Sequence, residues 1–505
     1  MDHALHGLAA NPSLPPDLVD RLILVADPDL ADELADRADL THDQATTLAT
    51  RIESSAQRLA RHGMLTAADV DPVTRPAAAL ALLGEGSGPA AWARLFAKDP
   101  DVSRRETLAG CPGLPRDVVE TLAADPDPRV VAELAFGATP EVAAALATHP
   151  HAEVRRAVAA NEATPPTVLA GLLAGKGIPP VQRCPVRERE EAAFVPAPQC
   201  PRPNSDSPAG ASCDGSRESA THGIQRAALH NPATPASAVA GFAEHPSEPL
   251  RRAVAARRGL PAAVYARLAV DPAPGVRADL AENPSIDDAV IEILAEDRGH
   301  DVRRCLAHNP RVPLDVLVRI VGRTRIGPTS LPRIAVASPT EVEELARSPL
   351  PTVRMLIARR RDLPAEIRDA LATDPDAAVV MSVAAHPGLS EARLRAMVDR
   401  HGVRVMAGVA ANPDATGQLL EELSRHRPPA RKALREIARH PHATPRALLA
   451  CLADEKARCT AAGHPALPAQ ALAELLDHDD WQVVEAAAAH PSLPAAVMAQ
   501  LLHRT

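Results

Sequence analysis

The 505-residue sequence predicts an all-α solenoid, and three observations lead there. A unit of 24–27 residues recurs along the chain. The 51 prolines fall at fixed places within that unit. The apolar residues are Ala, Leu and Val, with only two Trp, one Tyr and four Phe, so the core must be built from small side chains that suit closely spaced helices. A β-rich fold, which draws on aromatic and β-branched residues, is disfavoured by the same composition.

The unit is clearest where it is written twice in succession, "DPAPGVRADLAENPSIDDAVIEILAE" (271–296) followed by "DRGHDVRRCLAHNPRVPLDVLVRI" (297–320). Asp271 opens it as a candidate cap for a first helix, since its carboxylate can accept from free N–H groups at a helix start. Pro272 is placed in the first turn, where no hydrogen bond is forfeited. Val276 and Leu280 fall four apart on one face, with Ala281 beside them. Asn283-Pro284 ends the helix, because a residue before proline is pushed out of the α region. A second helix follows with Val290 and Leu294 on its apolar side.

Openings of this kind stand at Asp99, Asp125, His149, His245, Asp271, Asp297, Ser348, Asp374 and His401. Asp297 to Ser348 spans two units, and the long gap from His149 to His245 contains an insertion. The organisation is therefore degenerate, acidic repeats over 1–98, regular repeats over 99–176, an insertion at 177–222 and regular repeats over 223–505. Sixteen or seventeen two-helix units result. None can bury its apolar stripe alone, so each must stack on its neighbours. At ~9 Å per layer the stack is elongated, on the order of 150 Å along its path.

The segments "HPHAEVRRAVAANEATPPTVLAGLLA" (149–174), 271–296 and "HPSLPAAVMAQLL" (490–502) resemble the leucine-rich repeat variant family through the spacing of Asp-Pro, Val-Arg, Asn-Pro and Leu-Pro. The resemblance covers most of the chain outside 177–222 and is weak over 27–98. It implies a right-handed superhelix in which α and 3₁₀ helices alternate. The family's N-terminal iron–sulfur module is not carried over, because the first 110 residues contain no cysteine. No cofactor is expected.

The most regular polar feature is a ladder of Arg105, Arg155, Arg251, Arg277, Arg303 and Arg354, each six residues after its opening residue. The opening residues include Asp99, Asp271 and Asp297, a spacing similar to that of HEAT repeats, where such pairs bridge layers. The structural reading pairs each Asp with a neighbouring unit's Arg. The functional reading is a basic stripe for phosphates or acidic partners.

Charge is unevenly distributed within the net −9. Residues 1–70 carry twelve acids against five bases, and residues 301–361 twelve arginines against five acids. Arg319, Arg323, Arg325, Arg333, Arg359, Arg360 and Arg361 form the candidate binding surface. Its bland alternative is a solvated arginine-rich face. No aromatic residue accompanies these arginines, so base stacking has no support.

The insertion, rich in Pro, Ser and charge, reads as disordered. Its Cys184, Cys200 and Cys213, with His222, lack the short spacing of zinc knuckles, and no metal site is expected. Seven cysteines without a CxxC pair do not suggest a disulfide framework. His149, His245, His386, His440, His464 and His490 each precede proline and read as helix-start residues. No nucleophile elbow, HExxH or phosphate loop occurs. No basic start followed by an apolar run opens the chain, and no run of ~18 apolar residues suggests a membrane span.

The expectation is a cytoplasmic, non-enzymatic scaffold for protein partners, without a membrane association. A nucleic-acid-binding HEAT-like protein using 301–361 is the alternative.

Overall fold

In a computed structural model, residues 2–175, 220–327 and 329–503 are described. Among them lie 35 α-helices, numbered α1 (His3–Ala10) to α35 (Ala495–His503) in chain order, and no strand. With α5 (Glu53–Arg61) set aside, they form seventeen consecutive pairs. This is an all-α helical solenoid. No described helix is long and apolar enough to cross a membrane. The expected insertion lies almost wholly outside the described residues, except that α14 (Ala220–His230) already includes its last three positions.

The pair at 271–296 folds much as its prolines dictate, with the start of its first helix shifted. Val276, Leu280, Ala281, Val290 and Leu294 are all buried, and each large aliphatic side chain removed from water stabilises the stack by about 1.5–3 kcal/mol. The first helix here, α18 (Pro274–Glu282), starts later than Asp271 implied, with Pro274 rather than Pro272 in its first turn and Ala273 as N-cap. Asp271 instead accepts from the Ala273 N–H at 2.9 Å. That bond shapes a turn that delivers the chain into the helix.

The second helices are α-helical as well, and no 3₁₀ helix occurs among the described residues. The helix Pro166–Ala174 shows why. Val168 N–H reaches the Pro165 carbonyl at 2.9 Å, and Leu169 N–H shares that carbonyl at 3.1 Å. The tighter pattern is thus confined to the first turn.

Helices divide between two compact units, residues 66–327 and residues 1–65 together with 328–505. In residues 66–327 the first helices of successive pairs stack on one another in a row, as do those of residues 351–437 in the other unit. In the second unit the stacking order is not the chain order. α1 packs against α34 (Trp481–Ala488) from the far end of the sequence, and α3 (Pro28–Ala35) then packs on α1.

Candidate binding surface

Two ladders of polar side chains join one repeat to the next. The first is the arginine ladder. Arg251 grips Asp271 with two bonds of 2.6 and 2.9 Å, and its remaining nitrogen donates to the His245 carbonyl at 2.9 Å. Arg105–Asp125, Arg277–Asp297 and Arg354–Asp374 repeat this geometry with near contacts of 2.7, 2.5 and 2.7 Å. Each arginine therefore ties its own repeat's opening carbonyl to the next repeat's opening carboxylate.

The electrostatics follow from that geometry. Burial works against charge on Asp271, Asp297 and Asp374, yet the arginine and backbone N–H bonds hold all three below the usual carboxylate range. Their partners Arg251, Arg277 and Arg354 are raised by the same hydrogen bonds. The Arg303 and Arg155 rungs show other contacts. Arg303 meets the Thr324 hydroxyl at 2.8 Å and the Asp297 carbonyl. Arg155 is 1 % exposed and donates to the Pro150 carbonyl at 3.3 Å. Asp99 accepts from the Asp101 N–H at 2.8 Å and opens the Arg105 rung through its carbonyl.

The second ladder starts at the end of the first helices. Asn283 donates to the Ala255 and Arg257 carbonyls at 2.7 and 2.8 Å while accepting from Ser285 N–H at 2.9 Å. Asn161, Asn231, Asn309 and Asn412 do the same against their own preceding repeats. His386, His440, His464 and His490 hold the equivalent place. Their Nε2 atoms lie 2.7, 2.7, 3.0 and 2.8 Å from the carbonyls of Ala358, Asn412, His440 and His464. These four histidines therefore stand at first-helix ends, not at the helix starts expected. Of the six histidines before proline, His149 and His245 open a repeat, accepting from the N–H two residues ahead at 3.1 Å each.

The seven candidate arginines do not sit in a common unit. Arg319, Arg323 and Arg325 belong to residues 66–327, and Arg333, Arg359, Arg360 and Arg361 to the other unit. Four meet nearby acids: Arg319–Glu292 at 2.5 Å, Arg323–Glu296 at 3.1 Å, Arg333–Glu341 at 2.5 Å and Arg360–Asp362 at 2.6 Å. Arg360 also donates to the Ile334 and Ala337 carbonyls, taking the place that Asn holds elsewhere. Arg359 is half-buried against the Met355 thioether at 3.6 Å. Arg325 and Arg361 are exposed.

A groove that the sequence did not flag lies along the first-helix row in residues 66–327. There α8 (Val102–Ala109), α10 (Pro128–Phe136), α12 (Ala152–Ala160) and α14 line a groove of about 580 Å³. Its walls carry both charges, including Glu106, Glu133, Arg129 and Arg226, around Phe136, which is 61 % exposed. One signal was available: at the corresponding places one residue before the ladder position, neighbouring repeats have Gly110, Ala160 and His230.

The described thiols are poorly placed for chemistry. Burial pushes Cys111 up to about 11 and Cys305 and Cys451 up to about 12, and the thiol form is the weaker nucleophile and ligand. Among the described residues no cluster of three metal-ligating side chains occurs. His222 lies on α14, edge-on to His245 at 5.8 Å, while Cys184, Cys200 and Cys213 lie outside the described residues.

No family model matches the chain, and no curated protein matches it. Structures with some similarity include an engineered protein from a structural genomics consortium, 17% identical over 86% of this chain and 97% of that one, with a TM-score of 0.16. Another is a homology model of the full-length AP-3 complex in an intermediate open conformation, 12% identical over 96% of this chain and 86% of that one, with a TM-score of 0.17. The fold assignment stands on the helices and ladders themselves.

Proposed function

We propose that the protein is a non-catalytic scaffold that holds a protein partner in the groove along the first-helix row of residues 66–327. The observation that carries this reading is the groove around Phe136, where an exposed aromatic ring is ringed by acids and bases. Aromatic anchors surrounded by polar side chains are a common design of protein-binding surfaces. A partner segment with one apolar anchor and mixed charges suits these walls better than a uniformly anionic backbone, because Glu106, Glu133 and Glu153 share the groove with its arginines. The likeness to leucine-rich repeat variant proteins, the cytoplasmic location and the lack of enzymatic activity belong to the same proposal.

The nucleic-acid alternative rests on surplus positive charge at 301–361. It is weakened because Arg319, Arg323, Arg333 and Arg360 already face carboxylates.

A photo-crosslinking amino acid placed at position 136 tests the proposal, with adducts identified by mass spectrometry. The expected result is a reproducible protein adduct at physiological salt, and affinity for that partner reduced at least about tenfold by Phe136→Glu, a loss typical of a hot-spot residue. Substituting Arg325 and Arg361 by Glu should leave the adduct intact. Saturable binding of random duplex that those two arginine substitutions abolish, with no adduct at position 136, would replace the scaffold reading with the alternative.

A further inference from the structure

The contact between α1 and α34 is a repeat junction of the ordinary kind, although its two halves lie at opposite ends of the sequence. Asn11 donates to the Ala488 and His490 carbonyls, both at 2.8 Å, and accepts from Ser13 N–H at 2.8 Å. These are the bonds Asn283 makes to its own preceding repeat. The ladder continues on both sides: His490 reaches His464, and Arg37 reaches the Ala9 and Asn11 carbonyls at 2.6 and 2.8 Å.

The junction is also closely fitted. A Cβ on Gly7 would collide with the Glu485 carbonyl oxygen and lie 2.7 Å from the Ala488 Cβ. The same position four residues before a ladder Asn recurs at Gly408, where a Cβ would stand 2.5 Å from the Met381 carbonyl oxygen. Helices α1 and α34 thus meet as closely as α28 (Val403–Ala410) and α26 (Ala377–Ala384), which are consecutive in one row. At the edge of the junction His3 stacks on Trp481, with ring centroids 4.9 Å apart. In the second-helix row, Arg21 of α2 (Pro16–Val25) lies 3.4 Å from His503 of α35.

A junction held by helix packing and hydrogen bonds alone, with no peptide link across it, depends on the two faces and not on which chain supplies each. We propose that this seam is an exchangeable interaction surface: the open face of the α34–α35 repeat accepts the α1–α2 repeat of a second copy of the chain through the same contacts. Within one chain the tether keeps the local concentration of the partner face high, so the closed monomer predominates in dilute solution. The exchanged dimer gains no new contact and loses none, which makes such swaps a low-cost route to association.

A complementation experiment on full-length chains tests this. Gly7→Arg spoils the head face and leaves the tail intact, and Ala488→Arg spoils the tail and leaves the head intact. Neither variant can make a sound seam with itself, in one chain or between two. Mixed together, the intact head of the second fits the intact tail of the first. Light scattering after size-exclusion chromatography is expected to give monomers for each variant alone. The mixture should give a complex of one chain of each kind, with at least about tenfold more dimer than either separate sample. Circular dichroism establishes that both variants keep their helices, and the milder pair Gly7→Val and Ala488→Leu serves if either does not. A mixture whose mass distribution equals that of the separate samples would overturn the proposal.

Discussion

Glycine inside a helix ordinarily costs about 0.5–1 kcal/mol relative to alanine. At Gly7 and Gly408 the balance reverses, because the missing Cβ is what lets one helix lie against the backbone carbonyls of the next. Gly7→Ala and Gly408→Ala are therefore expected to destabilise the unit by about 1–3 kcal/mol through overpacking, read as a lowered midpoint in urea. Alanine at the open position Gly171 of the helix Pro166–Ala174 should cost nothing or stabilise slightly.

The ladder histidines give a second residue-scale test. His440 uses Nε2–H toward the Asn412 carbonyl and a bare Nδ1 to accept from His442 N–H at 3.1 Å, so it must be neutral. Burial is the main cause that holds His440 and His386 below their ordinary value of 6.5. The unfolded chain therefore takes up protons more readily than the folded one. Stability from these groups is complete above about pH 6.5 and is lost as pH falls below it. His386→Asn and His440→Asn together should move acid unfolding to lower pH, since Asn supplies the same donor without titrating. An unchanged acid midpoint would contradict that role.

At the scale of the element, a helix pair is only as stable as its tie to the next pair. Asn283 is 2 % exposed and donates to the Ala255 carbonyl and to the Arg257 carbonyl, the second of which also accepts from the Tyr265 hydroxyl at 2.9 Å. Asn283→Ala is expected to cost about 1–3 kcal/mol, the penalty for leaving the Ala255 carbonyl without its donor. Asn283→Asp should cost at least as much, because a carboxylate would face carbonyl oxygens. On the other ladder, Asp271→Ala should cost about 3 kcal/mol by stranding the largely buried Arg251. Thermal unfolding of each variant measures both effects.

Much of the element was legible in the sequence, since proline placement and the four-residue spacing of Val276 and Leu280 are local signals. The ladder of Asn and His was not. "Asn-Pro" reads as a helix stop, and nothing near Asn283 in the chain says that its amide crosses to carbonyls 26 and 28 residues back. Histidine before proline is likewise ambiguous between a repeat's opening and a first helix's end. Only the cross-repeat bond separates His245 from His386. The pairing within the arginine-rich segment is hidden for a related reason, because Arg319 and Arg323 find their carboxylates 27 residues away. Phe136 attracted no notice as one of four phenylalanines, since exposure is not a sequence property.

At the scale of the whole molecule, stability is a sum of repeat and junction terms, and an uncovered terminal repeat leaves apolar surface facing water. In the unit of residues 1–65 and 328–505 that surface on α34 is covered by α1. Composition and periodicity assign the repeats their number. They do not reveal that the first repeat follows the last, because the decisive bonds join residues 477 and 479 apart. Hydrogen exchange of the full chain, with and without Gly7→Leu, tests that continuity most directly. The account predicts faster exchange in both α1 and α34, with the helices of residues 66–327 unaltered. Acceleration confined to α1, leaving α34 as protected as before, would contradict it.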